Sequence, residues 1–419
     1  MSITLRPYQR DAANKLVALL NERRIAYLCG AVRTGKTLTA MEAIRQLGVE
    51  RVLILTKKKA IKSIEADRDA YGLTDRVTVT NYEQAGKLAK TSWGLVVVDE
   101  AHGVGSYPKP SKRWKDIRAM HYSMVLLMSG TPSPESYSQL YHQLALGAAP
   151  WGGYKNFYRW ADRYVNIREK RVGTGTVVKD YSGARAEDVL RDIEPLTVTV
   201  TQAQAGFETQ IIETVHKVQM LPRTYRMAKR IMKDGVIGKF RADGKAGRTV
   251  LADTGAKAMS KLRQLYSGTV ITEAHGAVVF DRSKVEYIQR TFTTKHAILY
   301  TFNAEGDMLK AAYAGRWTDS PEAFNANPAL TFIGQVRASR EGVNLSTADD
   351  LIFFGIDFAA LSYIQGRDRA SYLGRDRANR VHWILADGGI ETRVWQQVQG
   401  KNDYTLAHFR ADKHQLQHD

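Results

Sequence analysis

A glycine-containing loop near residue 30 restricts what this chain can fold into more than any other feature. Residues 28–37 read Leu-Cys-Gly-Ala-Val-Arg-Thr-Gly-Lys-Thr. Backbone N–H groups of such a loop can surround an anion, and a side chain at Gly30 or Gly35 would obstruct its approach. The apolar run 25–29 predicts a buried strand before the loop, and 36–47 predicts a helix whose N-terminus faces it. The sequence therefore predicts a phosphate site between a strand and a helix.

The polar residues of this loop favour a nucleoside triphosphate bound with magnesium. Lys36 is placed to reach the terminal phosphates, and the hydroxyl of Thr37 is placed to coordinate Mg²⁺. Thr34 belongs to the same set of residues expected to contact ATP. A glycine-rich turn that merely precedes Lys-Thr is the alternative, but it would not require the flanking strand and helix.

The segment 5–9, Leu-Arg-Pro-Tyr-Gln, stands where the first predicted helix begins. Pro7 suits a first helical turn, so a helix start is the simplest interpretation. With a phosphate loop further along the chain, Gln9 becomes a candidate to read the adenine edge through its amide. Tyr8 or Arg6 would then stack on the ring.

A later apolar run ends in an acidic pair. Residues 95–98 form an unbroken Leu-Val-Val-Val run, typical of a parallel strand covered on both faces, and Asp99 and Glu100 follow directly. Acidic pairs in loops are often only solvated, but this pair lies at a strand end beside the phosphate loop. We expect Asp99 to hold Mg²⁺ through water and Glu100 to orient and deprotonate the attacking water.

Polar residues follow the next predicted strand as well. The apolar run 124–128 ends in Ser129-Gly130-Thr131. The hydroxyls of Ser129 and Thr131, together with His102, are candidates to bond the acidic pair and couple its state to the rest of the site.

The run 51–56 predicts another strand, and it ends in lysines. Lys57 and Lys58 are candidates to contact nucleic acid, because open α/β sheets bind ligands at the carboxyl ends of their strands. Repeated steps from strand to helix, each with a polar carboxyl end, predict an α/β fold with a doubly wound parallel sheet.

Composition supports a polyanionic partner. The chain has 419 residues, enough for two domains, and 61 Lys plus Arg against 43 Asp plus Glu give a net charge of +18. Nucleic acid fits this charge, although a basic surface without a partner would have the same composition. A single cysteine, Cys29, excludes an intrachain disulfide. No run resembles a signal peptide or a membrane span, so we expect a cytoplasmic protein with no membrane partner.

The middle of the chain allows two interpretations. Between 151 and 207 the apolar periodicity weakens and aromatic and basic residues alternate. These side chains could stack on bases and hold phosphates, or they could form a helix that packs on the first lobe with a solvated face. Residues 172–178 predict a β-hairpin.

A second α/β series follows. Helical patterns cover 225–239 and 254–266, and strands are predicted at 296–300, 330–336, 351–354 and 381–385. We therefore expect an ATP-binding lobe over 1–150, a connecting region over 151–207 and a second lobe over 208–419.

These motifs resemble those of the superfamily-two nucleic-acid motors. The resemblance rests on the phosphate loop, on Asp-Glu-Ala-His at 99–102, on 129–131 and on the segment 5–9. Similarity to the Swi/Snf-type branch extends to 214–218, 261–268, 389–391 and Lys401. The resemblance implies two RecA-like lobes in tandem with a helical connecting region, and ATP and Mg²⁺ in the cleft between the lobes.

The resemblance also implies functional residues in the second lobe. Residues 339–345 look like a family motif in which Gly342 and Asn344 would touch backbone phosphate and link it to the nucleotide, with Arg340 as a further contact to nucleic acid.

A later segment would supply cations to the terminal phosphate. The family pattern places an Arg four residues after a Gln and a second Arg three residues later. Gln365 and Arg369 fit this pattern, but the second position holds Tyr372. Either Arg375 or Arg367 replaces the missing arginine, or the site hydrolyses ATP less efficiently.

Together these features predict a monomeric, DNA-stimulated ATPase, a helicase or translocase that moves along DNA. Translocation on duplex DNA without strand separation is a close alternative. Tyr372 also keeps open a protein of another class, an ATP-gated clamp that binds DNA and hydrolyses ATP weakly. RNA as the track is a weaker option.

Overall fold

The structure, a computed structural model, describes residues 4–31, 34–172, 176–206, 211–240, 248–252, 255–273, 276–336, 345–355, 378–391 and 395. These residues form two compact units, one ending at Gly206 and the other beginning at Ile211. Each unit has its own six-stranded parallel sheet, which confirms the α/β class predicted for both lobes.

The first unit contains strands and helices in alternation. Its strands are β1 (Ile25–Gly30), β2 (Val52–Thr56), β3 (Val77–Asn81), β4 (Ser92–Asp99), β5 (His121–Ser129), β6 (Arg168–Val172), β7 (Thr176–Asp180) and β8 (Thr197–Val200). Its α-helices are α1 (Pro7–Arg23), α2 (Lys36–Leu47), α3 (Ile61–Ala70), α4 (Lys112–Arg118), α5 (Gln139–Leu144), α6 (Phe157–Tyr164) and α7 (Ala186–Ile193). Short 3-10 helices cover Lys58–Ala60, Tyr82–Leu88, Ala101–Val104 and Glu194–Leu196.

The first sheet has helices on both faces. Its strand order is β3-β2-β4-β5-β1-β8, and every adjacent pair is parallel. Successive side chains of a strand point to opposite faces, so neighbours on β4 enter different cores. Val97 packs in a core with Leu16 of α1, and Val96 packs in a core with Leu140 of α5 and Trp160 of α6. The sheet is therefore doubly wound.

The described residues of the connecting region, which the sequence sets apart over 151–207, pack on this first unit. Helix α6 buries Phe157, Trp160 and Tyr164, of which Trp160 is 0% exposed. Strand β8 pairs with β1 and extends the sheet, while β6 and β7 form the predicted hairpin. Burial of the rings favours the packed helix over the base-stacking interpretation.

The second unit repeats the layered design. Its strands are β9 (Ile211–Val218), β10 (Val236–Phe240), β11 (Arg248–Leu251), β12 (Thr269–Thr272), β13 (Gly276–Val279), β14 (His296–Tyr300), β15 (Trp317–Thr318), β16 (Thr331–Gln335), β17 (Asp350–Phe353) and β18 (Asn379–Ala386). Its helices are α8 (Pro222–Asp234), α9 (Gly255–Tyr266), α10 (Ser283–Thr291), α11 (Asn303–Ala312) and α12 (Pro321–Ala326). The sheet order is β15-β16-β14-β17-β18-β9, all parallel.

One helix of this unit is shorter than its sequence pattern predicts. The pattern over 225–239 continues past Asp234, but the chain turns at Gly235, which has φ +65°. The Gly235 N–H donates to Ile231 O at 3.1 Å and closes the helix. Residues from Val236 onward then form β10.

A buried ion pair connects α10 to the segment after β18. Lys284 Nζ lies 2.8 and 2.6 Å from the carboxylate oxygens of Glu391, and the two side chains are 1% and 2% exposed. The Ala386 N–H also donates to Glu391 Oε2 at 2.8 Å. These bonds offset the cost of removing both charges from water, which would otherwise exceed their attraction.

A chain of hydrogen bonds crosses the second sheet. It runs from the Tyr287 hydroxyl to His216 Nδ1 at 2.8 Å, from His216 Nε2 to His382 Nδ1 at 3.0 Å, and from His382 Nε2 to Asp350 Oδ1 at 3.0 Å. Asp350 also pairs with Arg380 at 2.7 Å. If the Asp350 carboxylate accepts from His382 Nε2–H, His382 Nδ1 can accept from His216 Nε2–H, and His216 Nδ1 can accept from the Tyr287 hydroxyl. Burial, and then the neighbouring His382, lower the pKa of His216.

We expect acid to destabilise the protein through this chain. Because the pKa of His216 is lower in the fold than the ordinary 6.5, the unfolded chain binds more protons below that pH, and the free energy of unfolding falls as the pH falls through 6.5. In urea denaturation at pH 7.5 and 5.5, His216→Gln should reduce this loss. His121→Gln, at an exposed position, is the matched control. An identical loss in wild type and His216→Gln would contradict the assignment.

Among the residues that the structure describes, no helix has both the length and the hydropathy required to cross a membrane.

Candidate nucleotide site of the first unit

The predicted site residues meet at one edge of the first sheet. Strand β4 lies between β2 and β5, with Leu55 opposite Val98 and Asp99 opposite Met128. All these strands are parallel, so their carboxyl ends lie along the same edge. This edge therefore carries the end of β2, the acidic pair after β4, the end of β5 and the phosphate loop after β1.

The phosphate loop has the close contacts that its glycines allow. Gly35 has φ +76°, in the left-handed region, and α2 begins at the next residue. A Cβ at Gly30 would lie 2.6 Å from Lys36 Cγ. Lys36 Nζ donates to Gly30 O at 3.0 Å and to Ala31 O at 3.4 Å, which holds the ammonium at the loop. Thr37 lies in the first turn of α2, half-buried beside it.

Two of the three predicted adenine contacts lie against the phosphate loop. Gln9 is 5% exposed, and its Nε2 donates to Thr34 O at 3.4 Å. The Tyr8 hydroxyl donates to the same carbonyl at 3.1 Å. A Cβ at Gly35 would come within 2.2 Å of Gln9 Nε2, so the amide and the loop fit together closely.

Arg6 differs from these two residues, because its guanidinium Nη1 donates to the carbonyl of Ala205 at 2.9 Å. Its backbone N–H donates to Gln9 Oε1 at 3.0 Å. Arg6 therefore orients Gln9 and ties the start of α1 to the end of the first unit.

The acidic pair is held by residues from two neighbouring segments. The Thr56 hydroxyl donates to Asp99 Oδ2 at 2.7 Å, and the Tyr82 hydroxyl donates to the Asp99 carbonyl. Glu100 has φ +50°, a left-handed backbone that is uncommon for a residue with a side chain. Strain of this kind clusters at functional sites, where the surrounding structure enforces it.

The three predicted coupling residues form one network with Glu100. His102 Nδ1 lies 3.3 Å from Glu100 Oε2 and 3.1 Å from Ser129 Oγ. The Thr131 N–H donates to Ser129 Oγ at 3.1 Å. A carboxylate oxygen beside Nδ1 favours the imidazole tautomer with its proton there. The network connects the acidic pair to the end of β5.

Burial, and then the negative charge of Glu100, raise the pKa of Asp99 to about 6. The Thr56 hydrogen bond and the Lys36 charge act in the opposite direction. A divalent cation would favour the ionised form of Asp99.

The oxygen atoms near this edge suit Mg²⁺. The Asp99 carboxylate and the Thr37 hydroxyl are ligands of the kind Mg²⁺ prefers, and Mg²⁺ commonly takes its other ligands from phosphate and water. Within the described ranges no group of three His, Cys, Asp or Glu forms a metal cluster.

The predicted nucleic-acid residues of the first unit lie next to this site. Lys57 directly follows β2, and Lys58 begins the short 3-10 helix Lys58–Ala60 with its side chain exposed. Both belong to the same sheet edge as Thr56 and Asp99.

The candidates of the second lobe lie outside the described residues. They are the proposed phosphate-contacting residues Gln365, Arg367, Arg369 and Arg375, the departure at Tyr372, and Arg340, Gly342 and Asn344.

Sequence analysis missed two residues that hold Asp99. Thr56 ends an apolar strand, and this single polar residue at a strand end was the available signal. Tyr82 begins the segment after β3, and only the fold brings its hydroxyl to β4.

The amino-acid sequence is similar to those of several known proteins. The profile of the family described as type III restriction enzyme, res subunit, matches residues 2–65. The SWI/SNF-related matrix-associated actin-dependent regulator of chromatin subfamily A-like protein 1 of Xenopus tropicalis is 20% identical over 439 residues, which cover 95% of this chain and 44% of the relative. These matches support a Swi/Snf-type, superfamily-two helicase-like ATPase.

Other matches cover less of this chain or have a lower identity. Protein CHROMATIN REMODELING 4 of Arabidopsis thaliana is 22% identical over 363 residues, covering 78% of this chain and 16% of that protein. The chain thus spans less than half the length of either relative. A solved SWI2/SNF2 ATPase core of Sulfolobus solfataricus in complex with dsDNA has 16% identity and a TM-score of 0.45 over 99% of this chain and 95% of that one, a score too low to support a conclusion.

We expect Asp99→Asn to stabilise the protein at neutral pH. Ionising a carboxyl whose pKa is raised to about 6 costs folding free energy above that pH, on the order of 2 kcal/mol. The amide avoids this cost, and its oxygen can still accept from Thr56. Urea denaturation without nucleotide should show the gain at pH 7.5, and the gain should vanish near pH 4. A variant less stable than wild type at pH 7.5 would contradict the burial cost.

Proposed function

We propose that this Swi/Snf-type protein binds ATP with Mg²⁺ at the described sheet edge, hydrolyses it, and uses hydrolysis to move along DNA. The observation that carries the proposal is the convergence of Lys36, Asp99 and Glu100 at one edge, with Asp99 fixed by Thr56 and Glu100 beside His102. These groups can neutralise phosphate charge, hold a cation and accept a proton.

The chain's own residues divide this work between them. Lys36 would exchange the carbonyls of Gly30 and Ala31 for phosphate oxygens. Asp99 and Thr37 would hold Mg²⁺, which supplies Lewis-acid stabilisation of the phosphate oxygens. Glu100 would take the proton of the attacking water, with His102 Nδ1 3.3 Å from its Oε2.

The network from Glu100 to Thr131 supports coupling between hydrolysis and movement. A change of charge at Glu100 alters its interaction with His102, and His102 is bonded to Ser129, which accepts from the Thr131 N–H. The end of β5 can thus respond to the state of the nucleotide. We infer that this response is passed to DNA-binding residues outside the site.

DNA as the track is supported by charge and by the relatives. The net charge is +18, and Lys57 and Lys58 lie beside the proposed nucleotide site. The names of both relatives refer to chromatin. Tracking a phosphate backbone requires cations rather than base-specific donors. We propose duplex translocation and strand separation as the two modes to be distinguished.

Lys36→Ala should reduce ATP turnover by about 100-fold or more, because the main cation for the terminal phosphates is removed. Phosphate release would be measured with no nucleic acid and with single-stranded DNA, duplex, forked DNA and RNA. Lys62→Ala, an exposed lysine on α3, is the matched control and should keep wild-type turnover. Retained turnover in Lys36→Ala would overturn the phosphate-loop assignment.

Glu100→Gln should bind ATP with near wild-type affinity but hydrolyse it about 100-fold more slowly, because the amide cannot accept the proton. Nucleotide affinity and single-turnover hydrolysis would be measured on the same preparation. Normal hydrolysis would exclude Glu100 as the base. If wild type itself binds DNA tightly with ATP but shows negligible turnover on every track, the ATP-gated clamp replaces the motor.

Comparison of Arg367→Ala, Arg369→Ala and Arg375→Ala would identify the phosphate-contacting arginine that Tyr372 leaves open. We expect Arg369→Ala to lose the most DNA-stimulated turnover, because Arg369 keeps its family spacing from Gln365. Equal, mild losses in all three variants would show that none of them reaches the phosphate.

A further inference from the structure

The first unit contains a second cavity, away from the nucleotide edge. It has a volume of about 480 Å³ and is enclosed by α4, the end of α5, the loop after α5 and the start of α6. Gly147 lines it, and a Cβ there would touch Ile25, the first residue of β1. Arg118, another lining residue, precedes β5 by only a few residues. The cavity therefore lies towards the amino-terminal edge of the sheet, opposite the edge that carries Gly30 and Asp99.

The floor of the cavity is aromatic and buried. Tyr141, Trp151 and Phe157 are 5%, 3% and 2% exposed, and the Tyr141 ring lies 6.4 Å from Trp151 and 5.5 Å from Phe157. The indole Nε1 of Trp151 is buried with no hydrogen-bond partner in the described part of the chain.

The walls are fixed by hydrogen bonds between elements. Trp114 Nε1 on α4 donates to the carbonyl of His142 on α5 at 2.5 Å, and His142 Nδ1 donates to Ser106 O at 2.6 Å. Burial lowers the pKa of His142, so this imidazole is neutral. A cavity whose walls are already fixed loses little entropy when a ligand binds.

The rim is cationic. Lys109, Arg118 and Lys155 line the cavity with exposed side chains, and no Asp or Glu lines it. None of the three forms an ion pair with a described residue. A rim of one sign favours a partner of the opposite sign through long-range attraction and through rejection of basic partners.

We propose that this cavity is a docking site for an acidic peptide segment of a partner protein, which inserts an apolar or aromatic side chain against the ring floor. The volume is within the range of ligand pockets. Acidic residues on both sides of the inserted side chain would pair with Lys109, Arg118 and Lys155. This site is independent of the proposed ATP chemistry, because no residue of the nucleotide edge lines it.

Two observations favour a peptide over nucleic acid here. Stacking of a base requires a whole open ring face, but Tyr141, Trp151 and Phe157 expose only 5%, 3% and 2% of their surface, enough for contact with an apolar side chain at the ring edges. The half-buried Trp114 and the 43% exposed Tyr158 also line the cavity. The cavity also lies at the edge opposite Lys58, where the track is proposed. An aromatic cavity with cationic side chains at its rim suits a peptide anchor.

The test is selection of a displayed library of random 12-residue peptides on the intact chain, without ATP or DNA. We expect enrichment of sequences with Phe, Trp, Leu or Met between Asp and Glu. One enriched peptide, made synthetically with a fluorophore, would then be titrated by anisotropy. The double variant Arg118→Glu/Lys155→Glu should weaken its binding at least tenfold, since two attractive charges become repulsive.

The matched control reverses the same number of charges elsewhere, at the exposed positions Lys15 and Lys62, as Lys15→Glu/Lys62→Glu. It should bind the peptide within twofold of wild type. Thermal melting of both double variants would establish that they are folded. Trp114→Ala should also weaken binding of the peptide, whereas Tyr8→Ala, in the nucleotide site, should not.

Three results would overturn the proposal. The first is a selection with no acidic preference, and the second is an equal loss of peptide binding in both double variants. The third is a single-stranded oligonucleotide that binds wild type and the control but not Arg118→Glu/Lys155→Glu, since this result would assign the cavity to nucleic acid. If the wild-type chain binds the peptide but does not hydrolyse ATP, that result counts against the proposed motor and not against the docking site.

Discussion

Parallel pairing of β2, β4 and β5 is the constraint on which the rest of the first unit depends. Asp99 is at the end of a strand buried on both faces. Its position along the strand direction is therefore fixed by pairing with the neighbouring strands and not by a loop. The Thr56 hydroxyl can reach its carboxylate because Leu55 pairs with Val98, and Thr56 and Asp99 are the next residues of the two strands. A slip of either strand by one residue would turn the side chain to the other face and separate the two groups.

The site on this edge combines rigid and strained parts. Thr56 and Ser129 belong to strands, whereas Glu100 adopts a left-handed backbone just after β4. The surrounding bonds from Tyr82 and His102 maintain that backbone against its intrinsic cost. An element held in an unfavourable conformation by its neighbours can change state when one of them changes its bonding. This property suits a residue that must respond to nucleotide chemistry.

Sequence patterns predicted the layered fold and much of the site. Helix α2 has the predicted bounds, Lys36–Leu47, because apolar periodicity and a glycine on each side mark its ends, and Gly48 closes it with φ +65°. The end of α8 was missed because Gly235 interrupts a pattern that reads as continuous. The orientation of Arg6 could not be predicted, because its partner Ala205 is distant in sequence and meets it only through the fold. Local chemistry thus marked the site, while contacts between distant segments required the structure.

The ion pair between Lys284 and Glu391 limits how the second unit can change in evolution. Each charge is tolerated in the interior only because the other is present, so a single substitution at either position leaves an uncompensated buried charge. Sequences in which both positions are apolar are reachable only through simultaneous changes or through a strongly destabilised intermediate. Descendants of this protein should therefore keep or lose the two residues together, and the pair can serve to align the second unit in distant relatives.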